Sequence, residues 1–116
     1  MTIPPIRILI TEDHRIVREG LSLLLSREEG MEVIDAVATG EEAVASFKRQ
    51  PADVVLMDLQ LPGMPGVDAI RAIRQLDPSA RIVVLTMYDG DVVIYRALDA
   101  GATTYLLKDS LSEELV

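Results

Sequence analysis

The sequence predicts an α/β fold of the doubly wound kind, a five-stranded parallel sheet with helices on both faces. Three observations carry this. Short apolar runs alternate with helical stretches five times along the 116 residues. The runs are continuous instead of alternating apolar with polar, as strands covered on both faces must be. The stretches between them keep their apolar residues at helical spacing and are bounded by cap and turn residues.

Ile6–Thr11 (IRILIT) reads as the first buried strand. Residues 14–26 follow as a helix whose apolar stripe is Ile16, Val17, Gly20, Leu21, Leu24 and Leu25. Residues 33–38 form the second strand. Thr39 opens the next helix, with Glu42 completing a capping box, and that helix stops at Gln50 ahead of Pro51. Residues 53–58 (DVVLMD) are the third strand, and residues 59–66, with two Pro and two Gly, are a loop. A helix over residues 67–76 ends at Asp77-Pro78. Residues 81–85 (RIVVL) make the fourth strand. Asp89 or Asp91 starts a helix that runs to Ala100 and is closed by Gly101. Residues 103–107 are the fifth strand. Ser110, with Glu113 as its reciprocal partner, caps a last helix. No linker, low-complexity tract or longer repeat interrupts the alternation. The length suits one domain.

Composition removes several classes of function. The chain has no cysteine, so disulfides, Cys-based zinc sites and thiol catalysis are excluded. No basic region followed by a long apolar run opens it, and no run is long enough to span a bilayer. A cytoplasmic location and no membrane partner are the expectation. Eleven basic against nineteen acidic residues give a net charge of −8. That field repels a polyanion, so no nucleic acid is expected to bind this chain by itself. Most of the carboxylates fall on predicted helix faces, where they solvate the surface.

A few carboxylates fall elsewhere. In open parallel sheets ligands bind beyond the C-terminal strand ends, where the strand order reverses. Glu12 and Asp13 follow the first strand, Asp58 ends the third, Thr86 follows the fourth and Lys108 follows the fifth. With strand order 2-1-3-4-5 the first and third strands adjoin, and Glu12, Asp13 and Asp58 crowd together. Three like charges in one place call for a cation. Oxygen ligands with open positions suit Mg²⁺, which pairs with phosphate oxygens. Each residue also has an ordinary reading. Glu12 and Asp13 can cap the first helix, Asp58 can form an Asx-turn, Thr86 can be a turn residue, Lys108 a solvated charge and Tyr105 a packing residue. The argument rests on their falling together at corresponding strand ends.

With Glu12-Asp13 in ILITEDH, Asp58 in VVLMDLQLPGMPG, Thr86 in IVVLTMYD, and Tyr105 with Lys108 in TYLLKD, the chain resembles a CheY-like receiver domain over essentially its whole length. LTMYD, RALDAGA and YLLKDS are further similar to receivers of the NarL/FixJ (LuxR-type) subfamily of two-component response regulators. The resemblance implies the flavodoxin-like fold. It makes Asp58 the acceptor of a phosphoryl group from a sensor histidine kinase. Asp13, Asp58 and the backbone carbonyl of Gln60 would hold Mg²⁺, with Glu12 acting through water. Lys108 would pair with a phosphate oxygen and Thr86 would donate to another. Tyr105 would turn as Thr86 moves, changing the face of the fourth helix and fifth strand. Gln60 and Tyr88 would flank the path of the water that hydrolyses the acyl phosphate. The domain is regulatory and not an independent enzyme, though it promotes its own phosphorylation and dephosphorylation.

Two positions depart from the commonest pattern. Glu12 stands where Asp is more frequent, and Asp109 follows Lys108 where many relatives carry a Pro after a cis bond, so a trans bond is expected here. His14, the sole histidine, is read as an exposed neighbour of the acidic pair and neither donor nor ligand. The last helix covers only about two turns before Val116. It is therefore expected to be truncated, and the chain to be a fragment whose C-terminal DNA-binding output domain is missing. Contact with DNA would run through that domain. The truncation is expected to leave apolar surface on the first and fourth helices and fifth strand. A homodimer is expected through the helix four, strand five and helix five face, or through helices one and five. Two other readings compete. A constitutive receiver-like interaction module would not need the intact acidic set. A flavin carrier would need a Gly-, Ser- or Thr-rich loop after the first strand, where TEDHR stands instead.

Overall fold

The computed structural model describes residues 3–86 and 92–108, with Val93 described by its backbone alone. In chain order the elements are β1 (Ile6–Thr11), α1 (Arg15–Ser26), β2 (Met31–Val37), α2 (Gly40–Arg49), β3 (Val54–Asp58), α3 (Gly66–Leu76), β4 (Arg81–Thr86), α4 (Val92–Ala100) and β5 (Thr104–Leu107). The strands form one parallel sheet in the order β2-β1-β3-β4-β5. The predicted fold and strand order hold. Ser110, Glu113 and the rest of the proposed last helix lie outside the described residues, as do Tyr88, Asp109 and both candidate starts of α4.

Alternate strand residues feed two cores, as the two-residue period of a strand requires. Leu9, Val55, Met57, Ile82 and Val84 pack with Phe47, Ile70, Ile73 and Ala97 from α2, α3 and α4. Ile8, Ile10, Leu56 and Leu85 face the other way, toward Leu21 and Leu25 of α1. Each such buried aliphatic side chain contributes roughly 1.5–3 kcal/mol. The register aligns the C-terminal strand ends: Thr11 lies beside Met57, Asp58 beside Leu85, and Thr86 beside Leu107.

The caps explain where the helices stop. Thr39 Oγ1 accepts the Glu42 N–H at 3.1 Å, as expected of a capping box. The return bond comes from the Thr39 hydroxyl, which donates to Glu42 Oε1 at 3.0 Å, and not from the backbone. At the end of α4 the Ala102 N–H reaches Ala97 O and the Gly101 N–H reaches Leu98 O, a Schellman closure. Gly101 holds a φ of 124°, and a Cβ there would meet the Arg74 side chain at 3.1 Å.

Three expectations need correction. The stripe of α1 is narrower than predicted: Leu21 and Leu25 are buried with Val17 packed on them, whereas Ile16 is 84 % exposed and Gly20 is exposed. Ile16 stands one residue, about 100° of helix, from the inward line, which a helix on one side of a sheet cannot bury. Strand β2 begins at Met31, two residues before the predicted start, and ends at Val37. Gly30, at φ 86°, turns the chain and accepts the Ile6 N–H at 2.8 Å, so pairing starts at once. The register also slips between Ile8 and Leu9, which pair with Val33 and Asp35, leaving Ile34 as an extra residue. Strand β4 extends through Thr86. Among the described residues, no helix is long and apolar enough to cross a membrane.

Candidate functional site

Going outward from β1 the strand order reverses, β2 lying on one side and β3 on the other. The crevice at their C-terminal ends gathers the acidic residues. Glu12 and Asp58 are buried, at 0 % and 1 % exposure. Lys108 Nζ lies between them, 2.8 Å from Glu12 Oε1 and 3.1 Å from Asp58 Oδ2. Ligand atoms of Glu12, Asp13, His14 and Asp58 lie within 4.8 Å of one another.

Local bonds fix each member. Asp58 Oδ1 accepts the Gln60 N–H at 3.2 Å while Oδ2 faces Lys108, so the Asx-type turn and the ion pair coexist on one carboxylate. The capping role for Glu12 and Asp13 does not hold. The N-cap of α1 is His14, with no side-chain cap bond and no acid in the first turn. Glu12 Oε2 instead accepts the His14 N–H at 3.1 Å and faces the imidazole Nδ1 at 3.3 Å. Asp13 Oδ1 is buried without a hydrogen-bond donor, its nearest cationic candidate being His14 Nδ1 at 3.4 Å.

The loop after β3 is held against Asp58. A Cβ on Gly66 would sit 2.7 Å from the Asp58 carbonyl oxygen, so no larger residue fits without shifting that backbone. Gly63 takes a φ of 73° beside Glu41, whose Oε1 accepts the Met64 N–H at 3.2 Å. The Gln60 side chain is exposed. Thr86 is 9 % exposed at the end of β4, and Tyr105 is half-buried in β5 opposite Val84. Val84 and Thr86 share one face of β4, so Thr86 and Tyr105 are diagonal neighbours on the side that carries α4.

The electrostatics are uneven. Burial alone would raise the Glu12 carboxyl, but the Lys108 ammonium and the His14 N–H outweigh it and hold its pKa at about 2. Burial pushes Asp58 the other way, to about 6; the Gln60 N–H and Lys108 oppose this, and the Glu12 charge reinforces it. Lys108 titrates above its ordinary range: burial would lower it, but the two carboxylates prevail. Glu12 and Asp58 thus share one ammonium, and Asp13 lies beside them without pairing to it. The orphaned Asp13 Oδ1 and the oxygen-rich donor set fit a small hard divalent cation, which this acidic cluster can hold.

The sequence places Glu12, Asp13, Asp58, Thr86 and Lys108 at this rim, but shows neither their supports nor Thr11, whose hydroxyl is buried without a hydrogen-bond partner at the end of β1. His14 is exposed, as expected, yet its ring joins the cluster. Arg18 reaches back from α1, donating to Glu12 O at 2.9 Å and Asp13 O at 3.4 Å. Glu41 comes from α2. Neither Arg18 nor Glu41 carries a motif that would have exposed its role.

A parallel 2-1-3-4-5 sheet with this acidic crevice and a lysine just after β5 defines a class of signalling domain, and comparison places the chain within it. Residues 8–116 match the family described as response regulator receiver domain, and the chain belongs to that family. It is similar to the uncharacterized transcriptional regulatory protein YhcZ of Bacillus subtilis (strain 168), at 42% identity over 95% of this chain and 51% of the relative. It is similar to the nitrate/nitrite response regulator protein NarP of Escherichia coli (strain K12), at 38% identity over 97% of this chain and 52% of the relative. A solved LuxR-family two-component response regulator from Aurantimonas sp. SI85-9A1 superposes with a TM-score of 0.89 at 41% identity, covering 96% of this chain and 79% of that one. The relatives bear out the NarL and LuxR-type resemblance. The chain spans about half the length of the curated relatives it matches. It is a receiver domain, the phosphoryl-accepting regulatory module of two-component systems.

Proposed function

We propose that Asp58 is the phosphoacceptor. The observation that carries this is its position: a buried carboxylate at the end of β3, one oxygen held by Gln60 N–H and the other by Lys108. With its pKa at about 6, the carboxylate is mostly ionised at neutral pH and still basic enough to attack. An Asp58 oxygen attacks phosphorus on the phosphohistidine of a sensor kinase. The P–N bond breaks, its electron pair returns to the imidazole, and an acyl phosphate forms. Lys108 then turns from the carboxylates to a phosphate oxygen, and Thr86 donates to another.

Mg²⁺ is the cation this donor set suits, held by Asp13, Asp58 and the Gln60 carbonyl, with Glu12 acting through water. When bound it offsets charge on the transferring phosphoryl group. Inward movement of Thr86 is read out by Tyr105 on the same sheet face. The fourth helix already presents Val92, Tyr95 and Leu98 to solvent, which supports its face as the surface that partners or a second copy read. In this reading the domain sits in the cytoplasm, pairs with a histidine kinase and governs a DNA-binding output domain; the regulatory relatives, twice its length, support that arrangement. Gln60 and Tyr88 are the side chains proposed to set the acyl phosphate lifetime, with faster decay expected in Tyr88→Ala.

Intact-mass measurement after acetyl phosphate treatment tests the proposal. One phosphoryl group is expected in wild type with Mg²⁺, and none without the cation or in Asp58→Asn. Full single phosphorylation of Asp58→Asn would sink the assignment. Thr86→Ala and Tyr105→Ala are expected to accept the phosphoryl group but to blunt its effect on dimer or partner binding.

A further inference from the structure

The placing of the acidic pair depends on its backbone, and Arg18 is one side chain that reaches back to hold it. Asp13 Oδ1 has no hydrogen-bond donor, so its place follows from where the main chain puts Asp13. The segment is tied on its inner side by the Glu12 N–H, which donates to Val37 O at 3.0 Å. It then enters α1 through an N-cap that makes no side-chain bond. Within the segment Glu12 Oε2 accepts the His14 N–H; a further restraint, from outside it, is Arg18, a half-buried residue whose Nη1 donates to the carbonyls of both Glu12 and Asp13. Its neighbour Arg15 behaves as a surface arginine does, pairing with Glu19 at 2.9 Å with both side chains exposed. Arg18 makes no carboxylate ion pair among the described residues and spends its donors on backbone. The guanidinium Nη1 carries two N–H groups and can give one to each carbonyl.

We infer that Arg18 is a positioning residue for the cation site, fixing the backbone of Glu12 and Asp13 so that their carboxylates are placed before the cation arrives. The inference rests on the reading of this rim as a divalent-cation site. Supports one step behind metal ligands typically change affinity about 10–100-fold when removed. The alternative, that Arg18 matters only as a nearby positive charge, has the opposite sign. A cation close to the carboxylates repels Mg²⁺, so removing it would tighten binding.

The experiment is a Mg²⁺ titration followed by the backbone amide shifts of residues 12–14 and 58–60, on wild type, Arg18→Met, Arg18→Lys and Asp13→Asn. The dissociation constant is expected to rise about tenfold in Arg18→Met and less in Arg18→Lys, which keeps the charge and an ammonium able to donate. Acetyl phosphate uptake at saturating Mg²⁺ is expected to stay at the wild-type rate, with only the half-saturating Mg²⁺ concentration raised. Unchanged or tighter binding in Arg18→Met overturns the inference while leaving the cation site standing. Should Arg18→Met fail to fold, wild-type affinity in Arg18→Lys overturns it equally. Absence of Mg²⁺ binding by wild type, or equal binding by Asp13→Asn, brings down the site reading and this inference with it.

Discussion

The two rims of the sheet are built from the same five strands and treat charge in opposite ways. At the N-terminal rim, charged groups stay at least partly exposed and their bonds are made. Asp53 Oδ2 accepts the Arg7 N–H at 2.9 Å, with both side chains about half exposed. Arg74 donates to Gly101 O at 2.6 Å and Pro78 O at 2.8 Å, closing the ends of α3 and α4 together. At the C-terminal rim, Glu12 and Asp58 are buried, one lysine serves both, and Asp13 Oδ1 is left without a donor. The difference teaches where this fold keeps its stability and where it gives some up. Unsatisfied buried polar groups cost about 1–3 kcal/mol each, and they are tolerated where a ligand completes them.

The contrast predicts a ranking of substitutions. Lys108→Met should have the largest effect, because it leaves two buried carboxylates without their cation. A loss of about 3–5 kcal/mol is expected in urea unfolding; a loss below 1 kcal/mol, the roughly surface-pair value, would erase the contrast. Asp58→Asn should act in the other direction. The folded carboxyl, at about 6, holds its proton more tightly than the ordinary 3.8. Ionising it therefore costs stability, a cost absent at low pH and complete once pH has risen through about 6. Asp58→Asn should gain about 1–3 kcal/mol over wild type at pH 8, and the gain should vanish toward acidic pH. A difference that does not change with pH would contradict the buried-charge account.

At the N-terminal rim the effects should be conformational or small. Gly101→Ala should cost about 1–3 kcal/mol through its positive φ, read as a lower urea midpoint with phosphoryl uptake unchanged. Impaired uptake would show that the two rims are not independent. The smallest effect is expected for the exposed Arg7–Asp53 pair. A double-mutant cycle with Arg7→Met and Asp53→Asn should give a coupling below about 1 kcal/mol, and a larger value would mean that this rim also depends on charge.

Much of this was legible in the sequence for a simple reason. Continuous apolar runs mark buried strands, and the residue that ends or follows each run must stand at the C-terminal rim. The sequence alone therefore assigns Glu12, Asp58, Thr86 and Lys108 to that rim, and Gly101 marks its own turn. What stayed hidden depends on approach in space. The exposure of Ile16 follows from the sheet covering only one side of α1. The Ile34 bulge follows from pairing with β1. Glu41 meets the loop twenty-three residues later through a single bond to Met64 N–H. Arg18 looks from the sequence like any charged helix residue, and only its two carbonyl partners distinguish it. The reading of Asp58 as either a turn residue or a site residue proved a false choice, since its two oxygens do one each.

The most direct test of the contrast between the rims is the effect of Mg²⁺ on unfolding. A ligand that binds only the folded state stabilises it by about 2.7 kcal/mol at a hundredfold excess over its dissociation constant. Urea midpoints should rise with Mg²⁺ in wild type and in the Gly101→Ala variant, because the acidic rim is intact in both. They should not rise in Asp13→Asn. No stabilisation of wild type by Mg²⁺, or equal stabilisation of Asp13→Asn, would contradict the view that the C-terminal rim is held short of charge for a cation to complete.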